Sequence, residues 1–294
     1  MIAPALCDDA LLADIREACR DDGQIRLWWL GQSGFLLQWG NQHLLLDPYL
    51  SDSLTAKYAG TDQPHVRMTA KAVDPARLDF IDVVTASHAH TDHLDGLTLS
   101  AVFQASPRCT LVIPEACREI ANARVSTMKS SSAGLDDGQS VTIGKFSITA
   151  VASSHEEVDR DELGRCRYLG YVVRCGPWTI YHSGDTVLYE GMVSKLAGQS
   201  VDVALLPING RSPGRRVPGN LNAREAVQLA RQIGARTVIP CHYEMFEFNT
   251  ARPEDFIEEA SLAGQPYHVL RCGERWEGTC QAGSAKPGPP ALNR

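Results

Sequence analysis

Long apolar runs, paired cysteines and blocks of like charge are all missing from this chain, and each absence removes a class of protein. No stretch approaches the roughly 18 apolar residues that a bilayer span requires. The N-terminus has no basic segment, and Asp8-Asp9 interrupts its apolar residues, unlike a secretory signal. The cysteines, 9 in number, include no C-x-x-C pair and stand at Cys7, Cys19, Cys109, Cys117, Cys166, Cys175, Cys241, Cys272 and Cys280. An odd, scattered set argues for reduced thiols, so a cytoplasmic location is expected and no membrane partner. Cys241 reads as a small buried strand residue. Against 28 Lys and Arg stand 35 Asp and Glu, a net charge of −7, with no dense basic run. Nucleic acid is therefore not an expected partner. No Pro-, Gly- or Ser-rich linker divides the middle of the 294 residues, of which 44% are hydrophobic. One domain over 1–280 is expected, followed by a disordered Gly/Ala/Pro-rich tail over 281–294.

What the chain does contain is a concentration of ligand-type side chains. Phe80-Ile81-Asp82-Val83-Val84-Thr85-Ala86 is rich in β-branched residues and predicts a buried strand. Directly after it comes Ser87-His88-Ala89-His90-Thr91-Asp92-His93. Alternation along extended chain lets His88 and His90 converge on one ion, while Asp92 and His93, where the chain turns, reach a second. Desolvating such a cluster costs several kcal/mol unless a divalent cation compensates.

This H-x-H-x-D-H segment after a buried strand resembles the signature of the metallo-β-lactamase fold. Later landmarks follow in the family's order: His155, then Asp185 in Tyr181-His182-Ser183-Gly184-Asp185, then His242 in Ile239-Pro240-Cys241-His242. The resemblance spans about residues 25 to 272 and is closest to the L-ascorbate-6-phosphate lactonase group, through Trp28-Trp29-Leu30-Gly31-Gln32-Ser33-Gly34 and Val201-Asp202-Val203-Ala204-Leu205. The chain departs from that group in being shorter and in the Ser-Ser-His-Glu setting of His155. The resemblance implies one metal position at His88, His90 and His155 and a second at Asp92, His93 and His242. Asp185 bridges them or caps the helix that follows. Zinc is the default ion, manganese competes with it, and iron also suits such ligands. Two ions sharing a water would generate hydroxide near neutral pH, with Asp92 orienting it. The expected activity is hydrolysis of a lactone or ester of a small acidic or phosphorylated metabolite. The alternatives are a phosphodiesterase and a non-catalytic metal-binding protein.

The remaining pattern predicts an α/β protein built as a four-layer αββα sandwich. Helices are expected over Leu11–Cys19, after Gly96, from Glu115, over Ala223–Ile233 behind an Asn222 cap, and over Pro253–Ala263. Strands are expected over Ile25–Leu30, Phe35–Gln38 and His43–Leu46, the last two joined at Gly40-Asn41. Further strands are expected at 110–113, 147–152, 169–174, 179–182, 201–207, 237–241 and 267–270. The polar segment 49–78 reads as a lid. His182 is either a proton donor to the leaving group or a core histidine bonded to backbone. Asp95 is expected to hold a ligand imidazole by its free N–H. Arg211, Arg215 and Arg216 form a loop suited to phosphate or carboxylate, unless they are merely solvated. Asn209 and Asn220 are candidate donors to substrate, and Tyr243, Phe246 and Phe248 wall the pocket or belong to the core. The substrate is expected to be a small molecule, and the resemblance makes a homo-oligomer reasonable.

Overall fold

Apolar strands dominate the chain, and each buries itself against one of two sheets. The computed structural model describes residues 1–18, 23–125 and 132–279. The first half contributes α1 (Asp8–Ala18), β1 (Gln24–Gly31), β2 (Gly34–Trp39), β3 (Gln42–Leu46), α2 (Ser53–Lys57), β4 (Val83–Thr85), α3 (Gly96–Ala105), β5 (Thr110–Pro114), α4 (Arg118–Arg124) and β6 (Ser132–Leu135). The second contributes β7 (Ser140–Ile143), β8 (Phe146–Ala152), β9 (Leu169–Cys175), β10 (Trp178–His182), α5 (Met192–Leu196), β11 (Val203–Pro207), α6 (Ala223–Gln232), β12 (Thr237–Cys241), α7 (Pro253–Ala263) and β13 (Arg275–Thr279).

One sheet has seven strands in the order β13-β1-β2-β3-β4-β5-β6, and the other six in the order β12-β11-β10-β9-β8-β7. Buried residues of both sheets form one hydrophobic core, from Leu27, Leu45 and Val84 in the first to Val172, Ile180 and Leu205 in the second. Helix α6 packs on β11 and β12, and α5 on β8. This is the expected α/β sandwich. Gly40, at φ +58°, supplies the backbone that the tight turn between Trp39 and Gln42 needs. Asn222 caps α6 in a reciprocal box with Glu225, as expected. No helix among the described residues is long and apolar enough to cross a membrane.

Several boundaries differ from expectation for identifiable reasons. The motif strand shortens to Val83–Thr85 because the Asp82 carboxylate takes the His43 backbone N–H at 2.8 Å, interrupting the regular ladder. No strand forms at 267–270, where Tyr267 makes only an isolated bridge to Val238. Instead β13, with charged Arg275 and Glu277, pairs antiparallel with β1 from the far end of the chain. Strands β6 and β7 carry no apolar run and are not among those expected. The helix from Glu115 begins as a 3₁₀ turn over Glu115–Cys117 before α4. Cys19 and the tail 281–294 lie outside the described residues.

Segment 49–78 packs rather than hanging free. Tyr49 and Leu54 form a small second core with Met245 and Phe246, against which Tyr58 and Phe248 rest. The segment also meets the loop after β11: Asp62 pairs with Arg216 at 2.8 Å, and the Gln63 amide donates to the Arg215 carbonyl at 2.6 Å.

Candidate metal centre

The chain leaves β4, β8, β10 and β12 at one end of the sandwich, and a ligand-type residue stands just beyond each strand. His88, His90, His155 and Asp185 bring one donor atom each to within 4.8 Å of one another, as do Asp92, His93 and His242. The Asp185 carboxylate lies between the two groups. Its Oδ1 is 3.3 Å from His93 Nε2, and its Oδ2 is 3.4 Å from both His155 Nε2 and His242 Nε2. Asp92 Oδ2 lies 3.7 Å from His93 Nε2 and 3.8 Å from His242 Nε2.

The outward nitrogens of these rings are fixed by hydrogen bonds that leave Nε2 as the inward atom. His155 Nδ1–H donates to the Gly219 carbonyl at 2.7 Å. His93 Nδ1–H donates to Asp47 Oδ2 at 2.6 Å. Ser87 Oγ–H donates to the same Asp47 oxygen, so the His88 Nδ1–H, 2.9 Å away, donates to Ser87 Oγ. Asp47 also accepts the Ser87 backbone N–H at 2.9 Å, and thereby ties the end of β3 to the start of the motif. Orientation of a ligating imidazole by such a bond is the usual arrangement around a bound metal.

The interior of the cluster fits divalent cations. His88 Nε2, His93 Nε2, His155 Nε2 and Asp185 Oδ1 are buried and have no hydrogen-bond partner among the described residues, an arrangement costly to maintain without an ion. Burial and the neighbouring imidazoles hold His88 well below the usual histidine range. Burial likewise lowers His90 to about 4, against the opposing pull of Asp92. Both are therefore neutral lone-pair donors at pH 7. Burial works against a charged His93, yet the Asp185 and Asp92 carboxylates outweigh it and raise its pKa well above normal. That pull marks a place where the cluster favours positive charge.

The backbone around the cluster is strained: Gln32, Asp47 and His242 sit at φ +51°, +41° and +63°. Non-glycine residues in this region concentrate at functional sites. Gly184, at φ +60°, lies so close to Ser87 that a Cβ would come within 2.6 Å of the serine Cβ.

A cavity of about 320 Å³ opens over the donors. Lys57, Arg124 and Arg216 supply cations to its wall, and Tyr58, His65, Phe246 and Phe248 an aromatic side. Tyr58 stacks on His65 with centroids 4.1 Å apart, and Phe248 meets the same imidazole edge-on at 4.5 Å. His65 Nδ1–H donates to the Gln63 carbonyl at 3.1 Å, and Nε2 has no hydrogen-bond partner among the described residues. Arg124 braces the motif by donating to the Ala89 and Leu94 carbonyls.

Three expectations require correction. Asp95 holds no ligand imidazole: it caps α3 through the Thr98 N–H at 3.1 Å and accepts the Ser53 hydroxyl at 2.8 Å. The imidazole contact belongs to Asp47, which nothing in the local sequence connects with His93. His182 does not line the cavity; it is buried, with Nε2–H donating to the Ser33 carbonyl at 2.9 Å, as a core histidine does. Of the arginine loop only Arg216 reaches the cavity. Arg211 pairs with Glu225 on α6, while Arg215 donates to the Asn209 and Thr250 carbonyls. Asn209 bonds Asn249 and Asn220, and of these Asn220 and Asn249 line the cavity. Phe246 and Phe248 wall the cavity, whereas Tyr243 is buried and donates to the Leu270 carbonyl. The cavity roles of Lys57, His65 and Arg124 are not legible in the sequence because each comes from an element remote from the motif.

The β-lactamase superfamily domain profile matches residues 42–243, and the chain belongs to this superfamily, within a group of metal-dependent hydrolases. A relative described as a "UPF0173 metal-dependent hydrolase" from Opitutus terrae is 32% identical over 259 residues, covering 86% of this chain and 100% of the relative. A possible metal-dependent hydrolase from Veillonella parvula has the same fold, with TM-score 0.69 at 15% identity over 87% of this chain and 99% of that one. The isothiocyanate hydrolase from Delia radicum gut bacteria is similar at TM-score 0.68 and 20% identity, covering 87% of this chain and all (100%) of that structure.

Proposed function

We propose that the protein hydrolyses an ester or lactone bond in a small acidic or phosphorylated metabolite, in the manner of the lactonase group it resembles. The observation that carries this reading is the pairing of two features in one cavity. Inward-facing, unpartnered donors form its floor, and Lys57, Arg124 and Arg216 stand on its wall.

His88, His90 and His155 would hold one divalent ion and Asp92, His93 and His242 another, with Asp185 shared; zinc and manganese are the candidates, and iron also suits the set. Such ions lower the pKa of water and polarise the bond under attack. The protein's own residues do the rest. Asp92 lines the cavity and offers a carboxylate oxygen to orient the attacking water. Arg216 and Lys57 hold the acidic group of the substrate, and Arg124 stiffens the motif loop while adding positive potential. Tyr58, Phe246 and Phe248 exclude water from the apolar part of the ligand. His65, and not His182, is the imidazole in the cavity: with Nδ1–H held by the Gln63 carbonyl, its neutral ring presents a bare Nε2 able to accept a hydrogen bond from a substrate hydroxyl or from water.

The test is turnover by protein of measured metal content. The substrates are lactones, carboxylic esters with and without an acidic group, and bis-p-nitrophenyl phosphate. Faster hydrolysis of acidic lactones or esters, lost on chelation and restored by metal, is the expected result. Preferential cleavage of the phosphodiester would replace this reading with a phosphodiesterase. Bound metal without turnover of any substrate would leave a binding protein.

A further inference from the structure

Gln32 stands in the turn between β1 and β2, far in sequence from the histidine motif, yet it is fully buried beside the Asp92, His93 and His242 group. Its carboxamide Nε2 is 2.8 Å from Asp92 Oδ2 and 3.0 Å from His242 Nε2. These are the two atoms on which a second ion would be shared. The amide oxygen, Oε1, is buried and has no hydrogen-bond partner among the described residues.

The backbone of Gln32 is pinned in this place. Its carbonyl accepts the Trp29 indole N–H at 3.0 Å and the His242 backbone N–H at 2.9 Å. Its φ of +51° is one that a residue outside glycine keeps only under such constraint. The carboxamide therefore remains beside Asp92 and His242 whichever way it faces. In the structure its two N–H groups point at a carboxylate and an imidazole lone pair, supplying the positive partner that the pair lacks. A cation between the same two atoms would meet those hydrogens unfavourably. A half-turn of the nearly symmetric amide exchanges NH₂ for oxygen at little steric cost.

The geometry points to Gln32 as an additional ligand of the second ion, through Oε1. The inference rests on the metal-centre reading above. It makes the second position richer in neutral oxygen than the first, which draws on His88, His90 and His155. The two positions therefore differ in their donor sets, so their ions enter in separate steps, and only the second step, at Asp92, His93 and His242, depends on the added amide oxygen.

The experiment is titration of chelator-stripped protein with Co²⁺, followed by calorimetry and by the visible absorption of the bound ion, for the wild type, Gln32→Leu and Gln32→Glu. Circular dichroism checks the fold of each. Wild type is expected to take up two equivalents in two steps. Gln32→Leu should weaken the second step at least tenfold and change its spectrum, with the first step within twofold of wild type. Gln32→Glu, which keeps the shape and adds charge, should tighten the second step, and it decides the matter if the leucine variant does not fold. An unchanged second step in both variants, or tighter binding by Gln32→Leu, would overturn the inference and leave the amide as a hydrogen-bonding spacer. Failure of the wild type to take up a first ion would instead overturn the metal-centre reading itself.

Discussion

Replacing Asp47 by asparagine tests whether the metal centre is held from behind by hydrogen bonds. Asp47 and His93 are both fully buried, and their contact of 2.6 Å is a charge-assisted hydrogen bond that solvent does not screen. The same carboxylate receives Ser87 twice, through its backbone N–H at 2.9 Å and its hydroxyl. The Asp47→Asn variant keeps the volume and one acceptor oxygen, but it presents N–H groups where His93 Nδ1–H and the Ser87 hydroxyl now donate. One buried donor is then left unmatched, at about 1–3 kcal/mol. At roughly 2–4 °C per kcal/mol, the ion-free protein should melt about 5 °C lower. His93 has a second escape: shifting its proton to Nε2 and accepting from the introduced amide at Nδ1. That tautomer places hydrogen on the nitrogen that faces Asp185, so the position shared with Asp92 and His242 should lose about 10–100-fold in ion affinity. That loss corresponds to ~1.4–2.8 kcal/mol. Binding by His88, His90 and His155 should change far less. Calorimetric titration of stripped protein, together with melting curves without metal, reads both effects. Unchanged melting and unchanged affinity at both positions would refute the argument that Asp47 organises the cluster.

Other perturbations separate the remaining roles. Gly184→Ala should destabilise the ion-free protein by about 1–3 kcal/mol, since it adds a strained φ and a clash with Ser87; wild-type melting would show that the two loops can part freely. Asp95→Ala should cost about 1 kcal/mol as a lost helix cap while leaving ion affinity unchanged. A weakened ion would instead return Asp95 to the role suggested by its sequence position. Arg216→Ala should raise KM for acidic substrates several-fold with little effect on neutral ones, and equal effects on both would remove Arg216 from substrate binding. Metal at 100 times its Kd should stabilise the stripped protein by about 2.7 kcal/mol, visible as a higher Tm; no rise on adding zinc, manganese or iron would count against the centre.

The donors that converge in three dimensions are legible in the sequence because the fold places them by a simple rule. Each follows a run of buried strand residues, and strands that lie in register leave their ends at one edge. His88 follows Val83–Thr85, His155 follows Phe146–Ala152 and His242 follows Thr237–Cys241. Residues that support them obey no such rule. Asp47 and Gln32 sit in turns whose approach to His93 and His242 is set by tertiary packing, and their φ values do not show in residue type. Asp95 misleads because the same Asp, followed by Gly-Leu-Thr, also makes an ordinary helix cap, and the local cap wins. The arginine loop is readable as charge but not as direction: Glu225, nearby backbone carbonyls and Asp62 decide where each guanidinium goes. Strand β13 escapes sequence reading because an edge strand facing solvent on one side needs no apolar run.

That last strand bears on how the protein is made. Arg26 on β1 pairs with Glu277 on β13 across 251 positions of sequence. A ribosome adding about 5–20 residues per second therefore leaves the outer edge of β1, with its two tryptophans, without its partner for roughly 10–50 s. An unpaired apolar edge is the surface on which strands from other chains add. The nascent chain thus depends on shielding until β13 emerges, and slowing translation just ahead of β13 should lower the yield of native protein more than slowing it ahead of β1.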